Sequence, residues 1–292
     1  MIRRLAAASL ATLILASCTP ETAGTAAATD PAVDVAGAAA APAAPEGFEL
    51  STTLKSDNYE AAAEIDPAIL AFDPALAWRL WAHARAELDA LAASADEGRE
   101  MADEDAAETG SMSWFRGYTL DITHKATGVF DDVISVSDFV GTYTGGAHPN
   151  YFLGGGVYRQ GEEGGLALST FIADPAAFNE LVIKALVEEK IEHGFEPSET
   201  ASIESSLREI LVPSAEIPEV YAGRFVLEPS TETGKAGGIS VMFSPYDIGS
   251  YAEGSYYATI AAADLAPILT EAWSGRFGGL PVVEEDEPVS EE

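Results

Sequence analysis

The 292-residue sequence predicts an α+β fold, with one or more antiparallel sheets packed against a few helices. Three observations carry this prediction. Segments that alternate apolar and polar residues come in runs. The helical segments do not strictly alternate with them, as they would in a doubly wound parallel sheet. Hydrophobic residues make up 47% of the chain, enough to build a core and to exclude global disorder.

Taken in order, the elements fall between residues 48 and 280. Phe48–Ile69 reads as a strand pair, with Tyr59, Ala61, Ala63 and Ile65 alternating. Pro74–Ala107 reads as a helix. Proline is tolerated in a first turn, and Leu76, Leu80, His83 or Ala84, Glu87 or Leu88, and Leu91 share one stripe. Its acidic far end, Asp96–Glu108, is expected to be solvated. Strand alternation returns at Tyr118–Thr123, Val129–Val140 and Tyr151–Arg159, with turns at Thr144–Pro149 and Gly161–Gly165, which suggests an antiparallel meander. Gly154-Gly155-Gly156 inside a strand points to close backbone packing or a bulge.

Asp174–His193 is a helix, with Asp174 as N-cap, Pro175 first and Gly194 as the stop. Phe178, Leu181, Val182, Ala185, Leu186 and Ile191 form its core face. A shorter helix, Ser202–Ile210, follows. Strands at Arg224–Leu227, Gly238–Phe243 and Tyr256–Ile260 lead into a last helix, Ala262–Trp273. The domain is read as residues 48–280, with subdomains of about 48–140 and 141–280 as one arrangement.

The N-terminus carries an address. Arg3 and Arg4 precede an apolar stretch, about Leu5 to Leu15, that is too short to span a bilayer. The sole cysteine, Cys18, closes the run Leu15-Ala16-Ser17-Cys18. This resembles a bacterial lipobox, which implies removal of residues 1–17 and acylation of Cys18. The alternative is a plain secretory signal with an incidental cysteine. With Thr19 next, resemblance to lipoprotein sorting favours the periplasmic face of the outer membrane of a Gram-negative cell. Residues 18–47, rich in Ala, Pro and Thr, read as a tether about 30 Å long. The acidic end, residues 281–292, reads as a disordered tail.

Charge narrows the partners. The formal net charge is −33, and loss of Arg3 and Arg4 with the signal makes it −35. Phosphate binding needs clustered Lys and Arg, so nucleic acid is not an expected partner. The membrane is met through the lipid alone. An acidic body steers cationic partners, though solubility or adaptation to salt explains the same charge.

Four histidines, His83, His124, His148 and His193, form no metal-ligand spacing, and no cofactor or metal is expected. His83, His124 and His193 read as structural. Two segments stand apart: Tyr143-Thr144-Gly145-Gly146-Ala147-His148-Pro149-Asn150-Tyr151, and the tyrosine-rich Phe243–Gly254 between two strands. The candidate binding residues are Tyr143, His148, Asn150, Tyr246, Asp247 and Tyr251. Tyrosines on rigid loops supply contact area at low entropic cost, although packing across sheet edges accounts for them too.

These two segments, in this order, resemble the extracytoplasmic domain of RsiV-type anti-sigma factors and PdaC-type peptidoglycan deacetylases. That domain carries a Y-x-G-G-A-H-x-N-like turn and a later F-x-P-Y-(E/D)-I-x-x-Y-A-x-G stretch. The likeness covers roughly Leu50 to Leu269 in layout, with specific residues only in the two segments. The resemblance implies an α+β domain whose function is mostly unassigned and, in the RsiV type, binding of lysozyme. No sigma-binding segment and no deacetylase Asp/His set is recognisable, which implies the binding module by itself. The expected function is a non-catalytic, lipid-anchored periplasmic protein that recognises lysozyme-like muramidases or peptidoglycan. The alternative is an envelope hydrolase or transferase in which His148 is the general base and Asp247 orients it.

Overall fold

Small apolar residues at alternate positions put Ala61, Ala63 and Ile65 on one buried face of β2 (Tyr59–Ile65). In the computed structural model, which describes residues 48–211 and 221–283, β1 (Ser51–Lys55) pairs with β2 antiparallel as an edge strand. The chain then crosses through α1 (Pro67–Phe72) and α2 (Pro74–Thr109). It returns as β3 (Tyr118–Phe130), which runs parallel to β2. A helical crossover is what a parallel neighbour requires. The sheet continues antiparallel through β4 (Val133–Tyr143) and β5 (Asn150–Arg159), in the order β1-β2-β3-β4-β5.

A second, three-stranded antiparallel sheet is built from β6 (Phe225–Pro229), β7 (Ala236–Phe243) and β8 (Tyr256–Ala261). Every residue of β7 is buried. The largest core explains why: it joins Val133 and Val157 of the first sheet and Leu227, Ile239 and Tyr256 of the second to α3 (Pro175–Glu192) and α4 (Thr200–Leu211). The second sheet is thus sandwiched between the first sheet and two helices. On its opposite face the first sheet is covered by α2, through Leu76, Leu80, Ala84, Leu88 and Leu91.

The glycine run in β5 is where the two sheets touch. A Cβ on Gly155 would lie 2.6 Å from both Met242 Cε and Val226 Cγ1, and the Gly155 N–H donates to Gly223 O at 2.8 Å. Ser135 Oγ, buried in β4, accepts from Leu227 N at 2.8 Å and ties β6 across the same seam. The described residues all belong to one compact unit.

Several boundaries differ from the expectations. Val129–Val140 is not one strand: the chain reverses at Asp131-Asp132, where Asp131 adopts φ 54°, a conformation Asp tolerates better than most residues. Pro67–Ile69, expected to end a strand pair, instead opens a helix that runs to Phe72, because Asp66 caps Ala68 N and Pro67 sits at the first position. The last helix is two short turns, α5 (Ala262–Leu265) and α6 (Glu271–Ser274), since Pro267 cannot continue a helix. Strand β5 belongs with β1–β4, so the chain does not divide near residue 140. On α2 the stripe uses Ala84 and Leu88, leaving His83 and Glu87 exposed. Its far end is not wholly solvated, because Gly98 and Ala102 are buried. Cys18, residues 1–47 and residues 284–292 lie outside the described residues.

Candidate functional site

Both singled-out segments connect neighbouring strands, and the structure places them side by side. The first joins β4 to β5. Gly145 and Gly146 take φ values of 93° and 112°, which a residue with a Cβ strongly resists. The resulting tight turn presents His148 to solvent, with its Nδ1 2.7 Å from Pro149 O. Tyr143 folds back over the turn, donating to Gly146 O at 3.3 Å. Asn150 opens β5, with its Oδ1 buried and unpartnered among the described residues.

The second segment joins β7 to β8 and begins with a four-residue turn, Ser244-Pro245-Tyr246-Asp247, closed by a hydrogen bond from Asp247 N to Ser244 O at 3.1 Å. Pro suits the second position of such a turn. The third position, with φ of 76°, normally selects glycine or asparagine. Here it is Tyr246, and its side chain remains 59% exposed. Asp247 Oδ2 locks the turn by accepting from Ser244 N and from Arg224 Nη1, both at 2.7 Å.

A 3-10 turn, Tyr251–Glu253, follows and is clamped from beneath. Glu253 Oε1 accepts from Ser250 N at 2.7 Å. Its Oε2 accepts from Lys190 Nζ at 2.7 Å and from the Tyr256 hydroxyl at 2.9 Å. Lys190 is a buried residue of α3, and its ammonium also sits 4.2 Å over the Tyr256 ring. Burial pushes the Glu253 carboxyl up, but the Lys190 ammonium, the Ser250 amide and the Tyr256 hydroxyl outweigh it and bring its pKa down to about 2.

The two segments meet through Tyr251. Its hydroxyl donates to Pro149 O at 2.8 Å, and its ring stacks on His148 with centroids 3.9 Å apart. Tyr246 lies 5.5 Å from Tyr251 on the centroid measure. Phe139 and Tyr151 form a stacked pair at 6.0 Å. Of the candidate residues, His148, Tyr251 and Tyr246 therefore form one row of rings, with Tyr143 and Asn150 beside the turn that holds His148.

Asp247 does not take the role expected of it. It is turned to Arg224 and the Ser244 amide, and the group on the Nδ1 side of His148 is a backbone carbonyl rather than a carboxylate. A buried carboxylate–imidazole pair lies elsewhere. His124 Nδ1 is 2.6 Å from Asp138 Oδ1, bridging β3 and β4 beneath α2. His124 is only 1% exposed, and its Nε2 has no partner among the described residues. Sequence reading placed His124 at a strand end and missed this pair. It also missed the Lys190–Glu253 clamp, because a lysine inside an apolar helix face gives no sign of its partner 63 residues away. Among the described residues no cluster of His, Cys, Asp and Glu is arranged to hold a metal ion, and no helix is long and apolar enough to cross a membrane.

No family model and no curated protein matches the chain. Solved structures do. A DUF3298-family protein from Bacteroides fragilis aligns over 77% of this chain and 95% of its own, with a TM-score of 0.55 at 14% identity. A DUF3298-family protein from Pseudomonas aeruginosa aligns over 80% and 94%, with a TM-score of 0.46 at 15% identity. The first of these establishes a shared fold: an α+β domain like that of an uncharacterised family.

Proposed function

We propose that the protein is a non-catalytic, lipid-anchored periplasmic binding protein. Its two-loop aromatic row recognises a basic macromolecule, a lysozyme-like muramidase before peptidoglycan. The observation that carries this reading is Tyr246. A non-glycine residue at φ 76° costs on the order of 1 kcal/mol or more. A ring that returned this cost by packing inside the protein would be buried, and this one is not. Strain kept for an exposed tyrosine beside two further rings suits recognition.

The mutual stacking favours protein over sugar. His148 and Tyr251, stacked with centroids 3.9 Å apart, cover each other's faces, whereas a sugar needs open faces. The charge of −33 adds electrostatic steering toward a cationic partner. The resemblance of both loops to RsiV-type and PdaC-type domains supports the same choice, and the Leu-Ala-Ser-Cys run supports the lipid anchor.

The test is binding of a soluble form, residues 31–292, to hen egg-white lysozyme at low and moderate salt, beside an equally basic unrelated protein. Selective binding that survives moderate salt and is weakened about tenfold or more by Tyr246→Ala is the expected result. Equal binding to both basic proteins reduces the charge to a solubility feature. Retention of a soluble peptidoglycan fragment instead moves the glycan forward.

A further inference from the structure

Beyond the two-loop site, α2 ends in an arm. At 1.5 Å per residue its 36 residues span about 54 Å, roughly twice the length of β2. Asp96 marks the point where it passes the sheet, since its Oδ1 accepts from Asn58 Nδ2 at 2.8 Å, just before β2 begins. Past that point it is covered by Tyr118, at the start of β3, and by the returning segment, residues 110–117. A Cβ on Gly98 would lie 2.7 Å from the Tyr118 hydroxyl and 3.4 Å from the Phe115 ring, and the Ser113 hydroxyl bonds the Asp103 carboxylate.

This cover leaves three large apolar side chains in water: Met101 is 59% exposed, Met112 92% and Trp114 52%. The same stretch of chain carries seven carboxylates from Asp96 to Glu108, against Arg99 and Arg116. Arg99 is committed to Asp103 at 2.8 Å. Met and Trp are residues that interface centres favour, and exposed apolar groups with a charged rim are a docking signature.

We propose that the tip of this arm is a second docking surface, separate from the aromatic row, for a basic polypeptide segment that brings apolar side chains to Trp114 and Met112. The rim decides the occupant. A second copy would bring two acidic rims together, and anionic lipid headgroups would meet the same repulsion. Lys and Arg flanking an apolar anchor complement it, with the rim setting association rate and salt dependence.

The experiment uses residues 31–292 and a soluble peptide of lysine and leucine, beside a peptide of equal charge in which serine replaces leucine, both at physiological ionic strength. Trp273 is buried and Trp78 and Trp81 are half-buried, so a shift of emission to shorter wavelength on binding reports Trp114. The expected result is binding of the lysine–leucine peptide with that shift, and a loss of about tenfold or more in affinity with Trp114→Ala and Met112→Ser combined. Both side chains are exposed, so the variant keeps the fold, which circular dichroism verifies. Tyr246→Ala leaves this peptide's affinity unchanged whatever it does to lysozyme binding, which separates the two surfaces. Undiminished affinity of the double variant, equal affinity for the serine peptide, or a dimer that the double variant dissolves each overturns the proposal.

Discussion

His124 and His148 divide between them what a general base needs. His124 has the carboxylate, 2.6 Å away on Asp138, and is closed to solvent beneath α2. His148 faces solvent, and what it has beside it is a carbonyl and a tyrosine ring. The first arrangement holds two strands together. The second spends loop strain and three rings on a surface. A histidine in a distinctive sequence context is therefore weak evidence for acid–base chemistry until its neighbours are known. Here the exposed one has a backbone carbonyl and a tyrosine ring beside it.

The contrast is tested most strongly at the buried pair. Asp138→Ala leaves the His124 ring buried without its partner and is expected to cost about 3 kcal/mol, read from denaturant unfolding. Partner binding by the folded fraction stays intact. If instead binding fails while stability holds, the pair belongs to the functional site and the division is wrong. Next comes Gly155→Val at the sheet seam, where there is no room for a Cβ; a loss of about 2–3 kcal/mol is expected. A substitution without effect would mean that the second sheet rides loosely on the first.

Acid sharpens the comparison from the loop side. The Glu253 carboxyl is held at about 2, below its ordinary value of 4.5. A depressed carboxylate stabilises the fold above the unfolded-state value, and that stabilisation is lost as pH falls from about 4.5 toward 2. Its size is on the order of 2–3 kcal/mol. Glu253→Gln should flatten that part of the stability–pH curve. An unchanged slope would show that Lys190 does not clamp the Tyr251 turn.

The smallest effect is the most discriminating. Tyr246→Gly relieves the positive φ and is expected to raise stability by about 1 kcal/mol or less while abolishing partner binding. A variant that is stabilised and still binds would reduce Tyr246 to an accident of the turn.

Much of the fold was legible because its signals are local. The 3.6-residue stripe from Leu76 to Leu91, the Asp174-Pro175 start and Gly194 stop of α3, and the alternation of β2 and β5 all depend on near neighbours in the chain. The His148 and Tyr246 loops were legible for the same reason, since Gly145-Gly146 and Ser244-Pro245 announce turns. The Asp131-Asp132 reversal was not read, and with it went the register of β3 on β4, though not their antiparallel pairing.

Even a correctly placed turn would have set His124 opposite Phe139. The bulge between Ala126 and Gly128 shifts the register and brings His124 to Asp138 instead. One extra residue in a strand has no pattern of its own.

The sequence by itself determined the α+β class, most of the helices and strands, the acidic charge and the two tyrosine-bearing turns. Tertiary structure alone decided that those turns meet through Tyr251, that Asp247 serves Arg224 rather than His148, that Lys190 reaches Glu253, and that Gly155 makes the seam between the sheets. Hydrogen bonds and packing between residues 23 to 102 positions apart depend on how whole elements stack, and composition and periodicity carry no record of that stacking.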